Sequence, residues 1–341
     1  MIEGIDLITQ RRDAEAIVYL ESAAHDTPDA VEILYALGEA QWHGQHLEQG
    51  AATLARAFTL DPRWEMALHH VDEFRLSRGE TDQLQPIVAQ LTKSDPPAGA
   101  ALACGIAISE RDYDRAARDA RAALARPDLE KTPELYICLA RAQALTGDLD
   151  AGTATAKTAF ELWPLAQQDR GGFAQYGEFL LYRNQLDAYL ELMRGKPSSQ
   201  RAIALLQLRP SSPVDEPQPA WPNKRMAPLG AATWILQQHV HQIDASSVYT
   251  TYPEPEVRGW GMALAAEARG DRDAAVSLLR DALNVAQKGD IHMLLSHRLA
   301  GLLHAAGDAP GTTAACAEVI RPRFYVNYRA VLLPDCVAWT R

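Results

Sequence analysis

The sequence predicts an all-helical protein built from antiparallel helix pairs. Three observations predict this fold: prolines that recur at similar intervals, small residues at fixed distances before those prolines, and few strand-like runs, which are limited to 247–252 and 324–333. The recurring prolines stand at positions 28, 62, 96, 127, 164 and 197, so successive ones are 31 to 37 residues apart. Each one closes a helical pattern, as expected where the proline ring prevents the preceding helix from continuing.

Small residues indicate where the two helices of a pair come closest. Counting back 24, 12 and 5 residues from positions 62 and 164 gives two matching sets: Gly38, Gly50 and Ala57, and Ala140, Gly152 and Ala159. Only small side chains fit where helix backbones approach within about 8–10 Å. Each repeat is therefore predicted to be helix, turn, helix, and the short turns are supplied by Gly147-Asp148, Gly270-Asp271 and Gly307-Asp308.

This pattern resembles the tetratricopeptide repeat. Segments 31–64 and 133–166 match that repeat best, and the resemblance extends over 1–205 and 254–322. It implies a right-handed α-solenoid of antiparallel helix pairs, with a concave groove that holds peptides or proteins. The first helix of each pair lines this groove in the family.

The repeat phase breaks once, between positions 209 and 228, where six prolines fall within twenty residues. No regular helix persists through that density of proline. We therefore expect an N-terminal array at 1–205, a Pro-rich linker at 206–228 and a shorter C-terminal array at 229–341. The last stretch of the chain is rich in aromatic residues and is expected to cap the final apolar face of the solenoid.

Composition and motifs exclude several classes of function. The 44 acidic and 33 basic residues give a formal net charge of −11, and such a surface repels phosphate backbones, so we expect no nucleic-acid partner. The longest uncharged apolar stretch, 98–108, is half the length of a membrane span. No nucleotide-binding loop, nucleophile elbow or zinc-protease helix is found. The sequence therefore assigns no catalytic residue, no metal ligand and no cofactor.

The cysteines and the first residues of the chain favour a cytoplasmic protein. Cys104, Cys138, Cys316 and Cys336 are far apart in the sequence and form no Cys-x-x-Cys pair. We expect Cys104, Cys138 and Cys316 to be small core residues of helices, and all four cysteines to be reduced, as is usual in a reducing compartment. The N-terminus lacks the basic start and apolar run of a secretory signal.

The candidate groove residues follow from projecting the family's groove-lining helices onto this chain. Spacings of four, three and one residues put Tyr35, Glu39, Trp42 and His43 on one stripe of their helix. The next first helix adds Met66, His69 and Glu73, and later repeats add Arg141, Trp260, His297 and His304. Two other interpretations remain open: a solvated polar face without a ligand, and a metal site formed by His43, His69 and Glu73.

The function favoured by these patterns is a protein- or peptide-binding scaffold or adaptor without catalysis of its own. An acidic and aromatic groove favours a basic or apolar segment over an acidic one. One alternative is an enzyme, or the substrate-holding subunit of an enzyme complex, with a His/Glu/Tyr site in the concave groove. Another is a structural element that forms homo-oligomers through its degenerate repeats and aromatic tail.

Overall fold

The computed structural model describes residues 2–10, 12–44, 46–163, 173–194, 199–210, 228–252, 254–286, 290–320 and 329–340. These residues form helices and the turns between them, and no β-strand occurs in the described ranges. The chain divides into two compact units, 1–162 and 163–341. The sequence analysis places its boundary at 205 instead, and most of the expected linker, 211–227, lies outside the described residues.

The first unit contains ten described helices. They are α1 (Ile2–Thr9), α2 (Asp13–Asp26), α3 (Val31–His43), α4 (Leu47–Leu60), α5 (Leu68–Arg78), α6 (Gln85–Ser94), α7 (Pro96–Ser109), α8 (Tyr113–Ala125), α9 (Pro133–Leu145) and α10 (Leu149–Leu162). Two short 3-10 turns, Glu65–Ala67 and Thr81–Leu84, precede α5 and α6. Helices α3/α4, α7/α8 and α9/α10 pack as successive pairs, as the repeat pattern predicts.

The small residues lie where the paired helices touch. A Cβ added to Gly50 of α4 would lie 2.9 Å from the backbone nitrogen of Trp42 in α3. A Cβ added to Gly152 of α10 would lie 2.8 Å from the carbonyl oxygen of Ala140 in α9. Ala57 and Ala159 are fully buried. The prediction of close helix contacts at these positions is therefore confirmed.

Three of the turns inside the pairs combine a glycine with an aspartate. Gly147 has a φ of 96°, a left-handed conformation that side chains other than glycine rarely adopt. The next residue, Asp148, accepts a hydrogen bond from the backbone N–H of Ala151 at 3.1 Å and so caps α10. The same arrangement recurs at Gly270-Asp271 and Gly307-Asp308, so the predicted turns are confirmed.

The second unit also contains ten described helices. They are α11 (Phe173–Tyr182), α12 (Leu186–Leu192), α13 (Ser199–Leu208), α14 (Pro228–Val240), α15 (Ser246–Tyr249), α16 (Pro255–Ala268), α17 (Arg272–Val285), α18 (Asp290–Ala305), α19 (Ala309–Ile320) and α20 (Arg329–Trp339). Helices α16/α17 and α18/α19 are again close pairs. The two segments with strand-like sequence form no strand where they are described, so that interpretation is wrong: residues 247–249 lie in α15, 250–251 follow it as a turn, and 329–333 begin α20.

Helix α20 packs against helices that are distant in sequence. Its first residue, Arg329, is almost fully buried. The Arg329 guanidinium donates hydrogen bonds to the Val319 carbonyl at 2.8 Å, the Ile320 carbonyl at 2.7 Å and the Tyr182 hydroxyl at 2.8 Å. The end of the chain is thereby joined to both α19 and α11. Most of the aromatic residues expected to form a cap, Phe324, Tyr325 and Tyr328, lie outside the described residues.

The cysteines are paired, which corrects the expectation of reduced thiols. Cys104 of α7 is bonded to Cys138 of α9, and Cys316 of α19 is bonded to Cys336 of α20. The first pair is separated by 34 residues, about one repeat length, so stacking of successive first helices brings the same repeat position together. The separation of the paired cysteines in the sequence gives no indication that they are close in space. The argument for a reducing, cytoplasmic location loses its support, since disulfides persist mainly in oxidising compartments.

Candidate functional site

Helices α3 and α5 and the turn between α4 and α5 form one partly exposed surface, which we call the α3–α5 face. It is defined by Tyr35, Glu39, Trp42 and His43 of α3, Trp64 and Met66 of the turn, and His70 and Phe74 of α5. The stripe on α3 faces outward because another side of that helix is buried: Leu34, Leu37 and Gly38 belong to the interior of the unit. The amphipathic spacing of α3 therefore positions the site.

Two imidazoles converge on one carboxylate at the centre of the α3–α5 face. The Oε2 atom of Glu39 lies 3.7 Å from Nε2 of His43, one turn further along α3. The Oε1 atom of Glu39 lies 3.5 Å from Nε2 of His70, which α5 supplies. The side chain of His43 is 37% exposed and that of Glu39 is 20% exposed, so the cluster opens to solvent on the His43 side.

Aromatic rings surround this cluster. The Trp42 ring stacks on the His70 ring with centroids 4.4 Å apart and 16° between the planes, and its edge meets Phe74 at 6.0 Å. Further along α3, the Tyr35 and Trp64 rings lie 5.1 Å apart. All but Phe74 are half-buried. The face therefore presents flat apolar surface beside a polar centre.

The charge of this centre follows from its neighbours. Burial by itself raises the pKa of Glu39, but hydrogen bonding and charge interactions with His43 and His70 outweigh it and lower the pKa to about 2. Burial and the nearby Glu39 charge raise the pKa of Tyr35 above its usual range. Glu39 is therefore a carboxylate and Tyr35 a neutral phenol at neutral pH.

The structure brings together part of the predicted groove set and adds residues that sequence reasoning missed. Met66 is 72% exposed, Glu73 is half-buried, and the side chain of His69 lies outside the described residues. His70 is the missed member of the central cluster. The predicted set Met66, His69 and Glu73 has the spacing of one regular helix, whereas a 3-10 turn at Glu65–Ala67 precedes α5. Since a 3-10 turn advances about 20° more per residue than an α-helix, the phase along α5 differs from the projection.

The remaining predicted groove residues lie elsewhere. Arg141 is buried in α9. Trp260 is predicted to line the groove, but it is only 2% exposed and its indole N–H donates to the Ala232 carbonyl at 3.0 Å. It is therefore a core residue, because its large apolar ring is enclosed and its one polar atom has a backbone acceptor.

His297 and His304 share one face of α18, as their spacing indicates, but His297 is buried there, whereas His304 is exposed. Their rings lie 5.3 and 5.5 Å from the ring of Trp339 in α20. Nε2 of His297 also lies 3.1 Å from a carboxylate oxygen of Asp335. These two histidines pack the end of the chain against α18.

Comparisons with known proteins give structural neighbours only. No family model and no curated protein sequence matches the chain. Among solved structures, the APC/C hetero-tetramer Cut9-Hcn1 matches 95% of this chain at 13% identity with a TM-score of 0.46. Naa15/Naa10 bound to HypK-THB matches 97% at 10% identity and a TM-score of 0.33, and yeast Tom70 matches 99% at 12% identity and a TM-score of 0.34. The chain spans 59% and 58% of the length of the first two.

None of the described helices combines the length and hydropathy that a membrane span requires. The described helices include pairs whose first members start at Val31, Pro96 and Pro133. Small residues lie at the contacts of the first and third of these pairs, and a glycine-aspartate turn joins the two helices of the third. By these features the described residues have the fold of a helical-repeat array, as the resemblance to the tetratricopeptide repeat implies.

Proposed function

We propose that this chain is a protein- or peptide-binding scaffold and that the α3–α5 face is its binding surface. The observation that carries the proposal is the combination of half-exposed aromatic rings, an exposed methionine and a charged polar centre on adjacent first helices. Met66 is one of the most exposed large apolar side chains in the described chain, and it stands beside Trp64 and α5.

The chemistry of this face suits recognition of a polypeptide. Aromatic side chains contribute a large share of the binding energy at protein interfaces. Methionine adapts its shape to different apolar partners. Glu39, His43 and His70 supply hydrogen-bonding groups that orient a partner between the apolar contacts.

The charge of the face favours a basic or apolar segment as the partner. Glu39 is ionised at neutral pH because its pKa is about 2, and Glu32 is exposed on the same helix. The chain as a whole carries a formal charge of −11. An acidic segment would meet repulsion both at long range and at the contact in the metal-free chain.

The test compares proteins captured from native lysate by the immobilised full chain and by a Met66→Glu variant. Met66 is 72% exposed, so the change should leave folding intact while placing a charge within the apolar contact. The matched control is Val18→Glu, because Val18 is 70% exposed on α2 and is not one of the residues that form the face. Loss of the same partners with Met66→Glu but not with Val18→Glu supports the proposal, and equal capture by both contradicts it.

A second experiment tests the chemistry of the partner. Labelled peptide pools of net charge +4, zero and −4 are titrated against the chain at low salt and at physiological salt. Tighter binding of the basic or neutral pool is expected, with the basic preference weakened by salt. Tighter binding of the acidic pool would contradict the assignment. Light scattering over a concentration series measures the molar mass of the chain in solution. A mass that rises towards that of a dimer would indicate that the partner is a second copy of the chain.

A further inference from the structure

The cluster at the centre of the α3–α5 face has the composition and spacing of a metal site. The donor atoms of Glu39, His43 and His70 all lie within 4.8 Å of one another. Within the described residues, no other group of three histidine, cysteine or acidic side chains meets that condition. This set differs from the one the sequence offered, His43, His69 and Glu73.

The observed spacings are a little wider than those between ligands of one tetrahedral ion. Zinc binds histidine nitrogen and carboxylate oxygen at about 2.0–2.2 Å, which puts neighbouring ligand atoms about 3.3–3.6 Å apart. One Glu39 oxygen lies 3.7 Å from Nε2 of His43, the other lies 3.5 Å from Nε2 of His70, and with one donor atom per residue the three atoms lie within 4.8 Å of one another. Rotation of the side chains would therefore have to draw the three donor atoms closer together to place them on one ion.

The helices hold these ligands in converging positions. Glu39 and His43 are four residues apart, so they lie one above the other on the same face of α3. His70 comes from α5, and the stacked Trp42 ring fixes the plane of its imidazole. The His43 and His70 rings are at 87° to one another, so their nitrogens approach the carboxylate from two directions.

The cluster has an open side as well as a supported side. Glu39 and His70 are mostly enclosed, with side chains 20% and 16% exposed, whereas His43 is 37% exposed. An ion can enter past His43, and water can complete its coordination there. Three protein ligands with one open position are typical of zinc sites that bind a further group.

We propose that Glu39, His43 and His70 together bind one divalent first-row transition-metal ion of the zinc type. Two imidazoles and one carboxylate are ligands that suit zinc and its neighbours and do not suit magnesium or calcium, which prefer oxygen. The site needs no protein partner, so this inference stands or falls independently of the proposed scaffold function.

The first test titrates ZnCl₂ into the chelator-treated full chain by isothermal calorimetry, with the melting temperature measured in parallel. We expect one equivalent of Zn²⁺ per chain and a higher melting temperature in excess Zn²⁺. The variant His43→Ala should lower the affinity by about 100-fold or more, because loss of even an outer partner of a metal site costs about 10–100-fold. Zinc binding that His43→Ala leaves unchanged would overturn the proposal.

The matched control is His25→Ala, since His25 is an exposed histidine in the last turn of a neighbouring helix, α2. It should bind Zn²⁺ like the wild type, whereas an equal loss in both variants would indicate diffuse binding to surface histidines and overturn the proposal. Glu39→Gln, a change of one atom, serves as the second variant and should also weaken binding.

A spectroscopic measurement on the wild type removes any dependence on how the variants fold. Co²⁺ added to the chelator-treated chain should give the intense visible absorption of a low-symmetry, four-coordinate site, and Zn²⁺ should abolish it by displacement. A spectrum identical to that of Co²⁺ in buffer would overturn the proposal.

Discussion

A single side chain at Gly152 should force apart the helix pair α9/α10. A Cβ at this position would lie 2.8 Å from the Ala140 carbonyl oxygen and 3.2 Å from the Ala144 backbone nitrogen, both nearer than ordinary contact. Both atoms belong to the backbone of α9, so only separation of the helices relieves the clash. Overpacking of this kind costs about 1–3 kcal/mol. Gly152→Val adds two further methyl groups, so we take the upper part of that range.

Helix propensity opposes this cost only slightly. Valine is better than glycine in a helix by about 0.4 kcal/mol, which leaves a net destabilisation of about 2 kcal/mol. For a unit of this size, that corresponds to a melting temperature about 4–8 °C lower. The control is Ala154→Val, on the exposed side of α10, where only the propensity loss of about 0.6 kcal/mol applies. Thermal and urea denaturation followed by circular dichroism measure both variants, and equal stabilities would refute the reasoning.

Three further predictions concern the second unit and the disulfides. Burial and the charge of Arg298 lower the pKa of His239 below 6.5. As the pH drops below 6.5, the unfolded state therefore binds the proton before the folded state does, and the free energy of unfolding should fall. His239→Gln should flatten this pH dependence in melting curves recorded from pH 8 to 5. Asp271→Ala should cost about 1 kcal/mol by removing the cap of α17, whereas Asp273→Ala in the same turn should cost less; equal losses in urea denaturation would contradict the capping role. Alkylation of the denatured, unreduced chain should detect no free thiol in the mass spectrum, and four alkylated cysteines would refute the pairing. Reduction should destabilise the chain by about 3–4 kcal/mol per disulfide, because the disulfides close loops of 34 and 20 residues.

The repeat architecture was predictable from sequence because it depends on local chemistry. Gly50 and Gly152 signal close backbone contact since no larger residue fits there, and Gly147-Asp148 signals a turn because it combines a left-handed residue with a helix cap. Each of these features acts within a single helix pair. The disulfides depend on how successive elements stack, and the sequence separation of the cysteines does not report that.

The candidate site was predictable in part. The α3 stripe of Tyr35, Glu39, Trp42 and His43 is the outward face of a single helix, so spacing alone locates it. The contribution of α5 depends on its phase, which the 3-10 turn at Glu65–Ala67 changes. Trp260 was predicted to line the groove because of its position in its helix. The sequence does not show that the Ala232 carbonyl accepts a hydrogen bond from its indole and holds the ring in the core.

The most direct test of the central claim, that the α3–α5 face binds a protein, is site-specific photo-crosslinking in living cells. A photo-reactive phenylalanine analogue replaces Met66 in one strain and Val18 in another, both exposed positions. We expect a discrete cross-linked partner from position 66 and none from position 18. The product should be lost when Trp42→Ala is added, provided that circular dichroism shows this variant to be folded. Absence of a cross-link from position 66, or the same products from both positions, would contradict it.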